Sequence, residues 1–239
     1  MLAGDDYEGI NLLARLIKQM LRYESIHHPL TYILKQVCAD SCPTRFNFHC
    51  HTICSDGSLS PTELAKQALH LGLEHFAVTD HHQLAAHGAI ASYLKQFSEK
   101  ATRPTIWRGV EISCLLEGCL VHVLALGFRA HHPSLWPYLQ GSAVVGHALR
   151  SEQVVQAIHL AGGLALLAHP ARYRLPFQRL IAAAADQGFD GAEAWYDYKM
   201  KGIWKPTTGI CETISSDLRA RGLLSSCGTD THGFELVGR

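Results

Sequence analysis

The feature that most narrows the fold of this chain is a rhythm. From residue 45 to about residue 230, short apolar runs of strand length alternate with longer segments of helical periodicity. Strands are expected at 45–50, 75–80, 105–110, 119–128, 164–168, 191–195 and 223–227. Helices are expected at 60–72, from 83 to about 97, and at 150–161, 177–187 and 207–222. The first of these is strongly signalled. Ser60 stands as N-cap, Pro61 opens the helix, Glu63 completes a capping box, and Gly72 ends it. Residues 129–147, with two prolines and three histidines, read as an irregular crossover. Strand–helix alternation of this length implies a parallel sheet or a β/α barrel. The chain contains no G-x-G-x-x-G or Walker A loop that would nominate a nucleotide-binding doubly wound sheet.

Ligand-type side chains recur where these strands end. His49 and His51, at i and i+2, lie on one side of a strand, and the turn Ser55-Asp56-Gly57 adds a carboxylate. Asp80-His81-His82, Glu111, His169 and Asp230-Thr231-His232 end four further strands, while His122 lies inside its own. In β/α barrels the C-terminal strand ends are where active sites are built. Alone, several of these residues have plainer readings: Asp56 as a turn former, His122 as a core histidine, Asp80 as an acceptor that orients its neighbour. Trp195 and Tyr196 read equally well as mouth lining or as core. Cys50 faces away from the two histidines and is left out of the cluster.

Composition removes some function classes. Lys+Arg and Asp+Glu both number 21, so the basic excess that a long nucleic-acid groove requires is absent. Histidine is abundant, at 16 residues. The eight cysteines form no C-x-x-C pair, and most are expected to be small buried apolar residues. The start lacks a basic segment followed by an apolar run, and no stretch approaches the length of a membrane span, so a cytoplasmic protein with reduced thiols is expected. Residues 1–44 read as a helical arm, with one amphipathic helix at about 6–23 and a second opened by Pro29 and ended by Cys42-Pro43, distinct from a catalytic domain at 45–239. The arm is expected to pack on the main domain or on a second copy of it, giving a homo-oligomer.

With these residues in place, the chain resembles the PHP (polymerase and histidinol phosphatase) superfamily over about 45–235. The motifs are His49-Cys50-His51 with Ser55-Asp56-Gly57, Thr79-Asp80-His81-His82, Ala168-His169-Pro170 and Gly228-Thr229-Asp230-Thr231-His232, with Gly109–Ser113 and Val121-His122 between them. The resemblance implies an α/β fold: a distorted (β/α)7 barrel with a short N-terminal helical extension and two or three divalent metal ions at its mouth. It places His49, His51, Glu111 and Asp230 on one metal, and Glu111, His122 and His169 on a second. Asp56, His81 and His232 complete a third site. Imidazole and carboxylate without thiolate suit Mn, Fe or Zn. The implied activity is hydrolysis of a phosphoester by a metal-activated water, with His82 as proton donor and Arg172 and Arg174 as phosphate-binding side chains. A small phosphorylated metabolite or nucleotide, such as a nucleoside 3′,5′-bisphosphate, is the leading substrate. A 5′-end-trimming RNA exonuclease, a histidinol-phosphate phosphatase and a non-catalytic metal-stabilised scaffold are the alternatives.

Overall fold

The computed structural model of the protein describes residues 25–97, 103–200 and 202–238. The expected helix at 6–23 lies outside them. Seven strands follow one another in space as in sequence: β1 (Phe46–Asn47), β2 (His75–Val78), β3 (Thr105–Leu116), β4 (Cys119–Leu126), β5 (Leu164–Leu167), β6 (Gly191–Trp195) and β7 (Leu224–Cys227). The ends of this row meet. Phe48 donates its N–H to Cys227 O at 2.9 Å, Asp230 to His49 O at 2.8 Å and His51 to Thr231 O at 3.1 Å, joining β1 and β7 beyond their ladders. A nearly closed α/β barrel results. Gly228 makes the seam possible, because a Cβ there would lie 2.2 Å from His49 Cβ and 2.6 Å from His49 N.

One expectation needs correcting. The sheet is not wholly parallel: β4 runs antiparallel to both β3 and β5. Strand β3 also continues six residues past the expected end at 110, to Leu116, and pairs with β4 as a long hairpin. Its two-residue turn is Glu117-Gly118, with φ of 52° and 67°, the backbone of a type I′ turn. The reversal explains the odd placing of His122. Because β4 runs the other way, its first residues, and not its last, lie at the barrel mouth.

Among the described residues six helices surround or plug the barrel: α1 (Pro29–Leu34), α2 (Pro61–His70), α3 (Ala85–Leu94), α4 (Ser151–Leu160), α5 (Phe177–Gln187) and α6 (Thr208–Ala220). Ser60 Oγ accepts the Glu63 N–H at 3.1 Å, as the capping signal requires, whereas the Glu63 carboxylate pairs outward with Lys66. The crossover at 129–147 contains two short 3-10 turns, Pro133–Tyr138 and Gly146–Leu149.

Side chains of β4 and β5 alternate between two apolar layers, as the two-residue period demands. Val123, Ala125, Ala165 and Leu167 face out and share a core with Val154, Ile158, Leu180 and Ile214 of the helices. Leu124, Leu126, Leu164, Leu166 and Ala168 face in and join Leu30 and Leu34 of α1. The second helix of the expected arm is therefore short, six residues, and packs against the barrel's inner cluster. His28 ties it down: its Nδ1 accepts the Leu30 N–H at 3.1 Å, and its Nε2 lies 3.1 Å from Gly127 O. All eight cysteines are free thiols and six are buried. No helix among the described residues is long and apolar enough to cross a membrane.

Candidate metal centre

The inward rows that are leucine at the base of the barrel become histidine and carboxylate at its mouth. In β4 the row reads Leu126, Leu124, His122, and in β3 Glu111 and Ser113 share that inner face opposite Val110 and Ile112. Glu111 is the hub. Its Oε2 lies 3.0 Å from both His49 Nε2 and His51 Nε2, and its Oε1 lies 2.8 Å from His122 Nδ1 and 3.3 Å from His169 Nε2. Across the seam, Asp230 Oδ1 lies 3.2 Å from His49 Nε2 and 3.3 Å from His51 Nε2. At the open edge, Asp56 approaches His232 Nε2 at 3.2 Å, His51 Nδ1 at 3.4 Å and His81 Nε2 at 3.6 Å.

All nine expected ligand residues thus converge, in groupings that differ from expectation in detail. His49, His51, Glu111 and Asp230 form one compact set, as anticipated. The second compact set is His81, Glu111 and His122, with His169 reaching Glu111 Oε1 as well. The third adds His51 to Asp56, His81 and His232. His51 and His81 each serve two sets.

Such a cluster is electrostatically expensive without a compensating cation. Burial disfavours a charged Glu111 or Asp230, yet His49 and its neighbours outweigh that and hold both carboxyls well below their usual range. Burial likewise opposes a proton on His49, but Glu111, Asp230 and Glu193 raise its pKa well above normal. His51 is pushed up to about 9, burial being overcome by Asp230 and Glu111. His81 and His169 go the other way, lowered chiefly by burial. Two of the buried atoms, His51 Nε2 and Glu111 Oε1, have no well-directed hydrogen bond. A set of N and O donors, spaced for shared contact and partly unsatisfied, fits divalent metal ions.

The surrounding residues fix these donors. Glu193, fully buried in β6, sits 3.2 Å from His49 Nδ1 and accepts the His169 N–H at 2.9 Å. A proton on Nδ1 directed at Glu193 leaves Nε2 free to face the cluster. Sequence reading passed over this residue, although a lone carboxylate in the small apolar run Gly-Ala-Glu-Ala-Trp was a signal. Tyr196 is fully buried and donates its hydroxyl to Asp230 Oδ2 at 2.6 Å, which resolves its two readings in favour of bracing the cluster. Asp80 does not orient His81. It accepts from Thr52 N and Oγ1, both at 2.7 Å, and from Ser55 Oγ at 2.8 Å, shaping the turn that carries Asp56. Gly57 lets that turn fold back, since a Cβ there would meet His51 C and O at 2.6 Å. Cys50 does point away, its Sγ at 3.2 Å from Ala77 O.

The three expected catalytic and substrate-binding positions fare differently. Arg172 lies in the mouth, its Nη1 donating to Tyr196 Oη and Asp230 Oδ2, each at 3.0 Å. Arg174 points elsewhere and donates to Gly118 O in the hairpin turn. His82 is buried with positive φ, Nδ1 lying 3.3 Å from Tyr138 O and Nε2 accepting the Ser113 N–H at 3.3 Å. Both ring nitrogens are engaged by the protein.

The PHP domain family profile matches residues 47–191. Among characterised proteins, the chain is 32% identical over 145 residues to a 5′-3′ exoribonuclease of Haemophilus influenzae, a match covering 54% of this chain and 50% of that one. It is 26% identical over 219 residues to the 5′-3′ exoribonuclease Rnm of Escherichia coli, covering 62% and 74%. The chain thus spans half the length of the first of these relatives. Similar folds occur in an amidohydrolase from Chromobacterium violaceum solved with bound sulfate and no metal (TM-score 0.66, 21% identity, 79% of this chain and 88% of that one). A candidate metal-dependent phosphoesterase from Bifidobacterium adolescentis is similar too (TM-score 0.62, 22% identity, 80% and 88%).

Proposed function

Because the chain belongs to the PHP domain family, and histidine and carboxylate side chains cluster at its barrel mouth, we propose that it hydrolyses phosphoesters of nucleotides with the help of divalent metal ions. The observation that carries this reading is the clustering of nine histidine and carboxylate side chains at the barrel mouth, with five of the histidines within 3.6 Å of Glu111. Bound divalent ions supply Lewis acidity, stabilising charge on a phosphoryl group and activating water near neutral pH. His49, His51, Glu111 and Asp230 would hold one ion, His81, His122 and His169 with Glu111 a second, and Asp56, His81 and His232 a more open third.

The chain's own residues do the rest. Glu193 and Tyr196 orient His49 and Asp230, so that the donors are fixed before any ion or substrate arrives. Arg172 sits against Asp230 with a third of its side chain exposed, placed to bind a phosphoryl oxygen beside the cluster. Neutral charge favours a small nucleotide, such as a nucleoside 3′,5′-bisphosphate, over a long nucleic acid. One observation favours a second reading, trimming of short RNA from its 5′ end: the characterised relatives are named as 5′-3′ exoribonucleases.

The test is product release from four substrates after manganese loading: a nucleoside 3′,5′-bisphosphate, a mononucleotide, a 5′-phosphorylated hexaribonucleotide and histidinol phosphate. Turnover of the bisphosphate or the hexamer that vanishes in the His49→Ala/Asp230→Ala double variant is expected. No turnover on any of the four by metal-bound protein would overturn the proposal in favour of a scaffold role.

A further inference from the structure

The β3–β4 hairpin does more than deliver Glu111 and His122 to the cluster. Its register sets Glu111 opposite Leu124, Ser113 opposite His122 and Leu115 opposite Leu120. Side chains alternate along a strand, so Leu115 shares the face of Glu111 and Ser113, and Leu120 that of His122. The two leucines therefore continue the inner row outward, two residues and about 7 Å beyond Ser113 and His122.

The two faces of this projecting hairpin differ. On the outer face, Ile112, Cys114, Leu116, Cys119 and Val121 are buried in the core shared with the helices. On the inner face exposure grows outward: Glu111 is 1% exposed, Leu115 37% and Leu120 55%. The solvated face of an antiparallel pair ordinarily carries polar residues. Here the pair that meets solvent is apolar, and it is firmly held. Arg174 Nη2 donates to Gly118 O at 2.6 Å, Arg179 pairs with Glu117 at 2.8 Å, and Leu115 bridges to Arg150. On the β4 edge, Tyr173 Oη accepts the His122 N–H at 2.8 Å. Arg174, which does not reach the cluster, thus braces the strand turn that carries the leucines.

A phosphoester held at the cluster must keep its organic part outside, because Leu124, Leu126, Leu164 and Leu166 fill the lumen beneath. The inner face of the hairpin is a wall that this part meets a sugar's length from the phosphorus. We infer that Leu115 and Leu120 form the shelf on which the nucleobase of the substrate rests, and so determine specificity. The inference rests on the phosphoesterase reading and deepens it. Leucine offers apolar area and no hydrogen-bonding group, so the shelf ranks bases by area and not by their edges. Purines should be preferred to pyrimidines, with adenine and guanine alike.

The experiment compares adenosine 3′,5′-bisphosphate with the same sugar bisphosphate lacking its base, on the manganese-loaded full chain. Leu115→Thr/Leu120→Thr keeps strand-favouring side chains while removing apolar area. The double variant should raise KM for the base-bearing substrate roughly tenfold and leave its kcat, and both constants for the base-free one, within about twofold. Leu120→Met should keep the wild-type KM. The manganese-induced rise in melting temperature should match in all three proteins, showing an intact cluster. Equal losses on the two substrates, or no loss on either, would overturn the assignment. So would a wild-type dimer in sedimentation that the double variant converts to monomers, since a second copy would then cover the leucines. If the wild type turns over neither molecule, the phosphoesterase reading fails and calorimetric titration of both decides the shelf. Tighter binding of the base-bearing molecule, lost in the double variant, would support it, and equal or absent binding would overturn it.

Discussion

The base and the mouth of this barrel are built on opposite principles within one lumen. At the base, Leu126, Leu164 and the leucines of α1 form an apolar plug pinned by His28, both of whose ring nitrogens are engaged. At the mouth, fully buried carboxylates and imidazoles crowd together, and His82, His169 and Asp230 adopt positive φ of 54°, 28° and 51°. Backbone conformations of that kind cost on the order of 1–3 kcal/mol each and persist where the surroundings impose them. The difference teaches which end holds the fold and which end the fold holds. Apolar burial at the base offsets the desolvated charge and strain at the mouth, and part of that strain falls on His169 and Asp230, two residues of the cluster.

The sharpest way to break the comparison is to change the hub. Glu111→Gln keeps the shape but removes the charge that five histidines share, so activity should fall by roughly 10³ or more, since ion-based charge stabilisation is worth several kcal/mol. Added manganese should raise the melting temperature of the wild type and not of this variant. A manganese shift of wild-type size in the variant would show that Glu111 is not the hub. The converse change is Leu126→Ala, which opens the plug. It should cost about 2–5 kcal/mol in urea unfolding while the manganese-induced shift persists, a loss of that shift being the outcome that would merge the two ends into one unit.

A smaller effect comes from His28. Burial lowers its pKa from the usual 6.5, and protonating Nδ1 would remove the acceptor for Leu30 N–H. In the window below 6.5, down to the depressed folded value, the unfolded chain binds the proton more readily. Stability is therefore complete above pH 6.5 and declines as pH falls through that window. His28→Asn retains a capping oxygen and does not titrate. The difference between the wild-type and variant stability curves should slope between pH 7 and 5, and parallel curves would remove His28 from the account.

Much of this division was legible in the sequence because strand ends are abrupt. Ala168-His169-Pro170 and Cys227–Asp230 pass from buried apolar to polar within one or two residues, and a polar residue at such a boundary has few structural reasons to be there. Three things were hidden. Glu111 and His122 are separated in sequence by the hairpin turn Glu117-Gly118, and the polar residues from Glu111 onward break the strand pattern, so the sequence carries little sign of the antiparallel pairing. Strand β1 was expected to reach residue 50, but its ladder stops at Asn47 because the following backbone turns to bond with residues 227–231. Glu193 could not be assigned a partner, since its contacts with His49 and His169 depend on how six other strands curve.

The seam between β1 and β7 has a consequence in time as well as in space. His49 and Asp230 stand near opposite ends of the described chain, yet each lies within reach of the other across Gly228. During synthesis, no partial product lacking the last strand can assemble the compact set of His49, His51, Glu111 and Asp230. Full four-donor capture of a divalent ion at that set would therefore wait on residue 230: a fragment ending before it keeps three of the four donors.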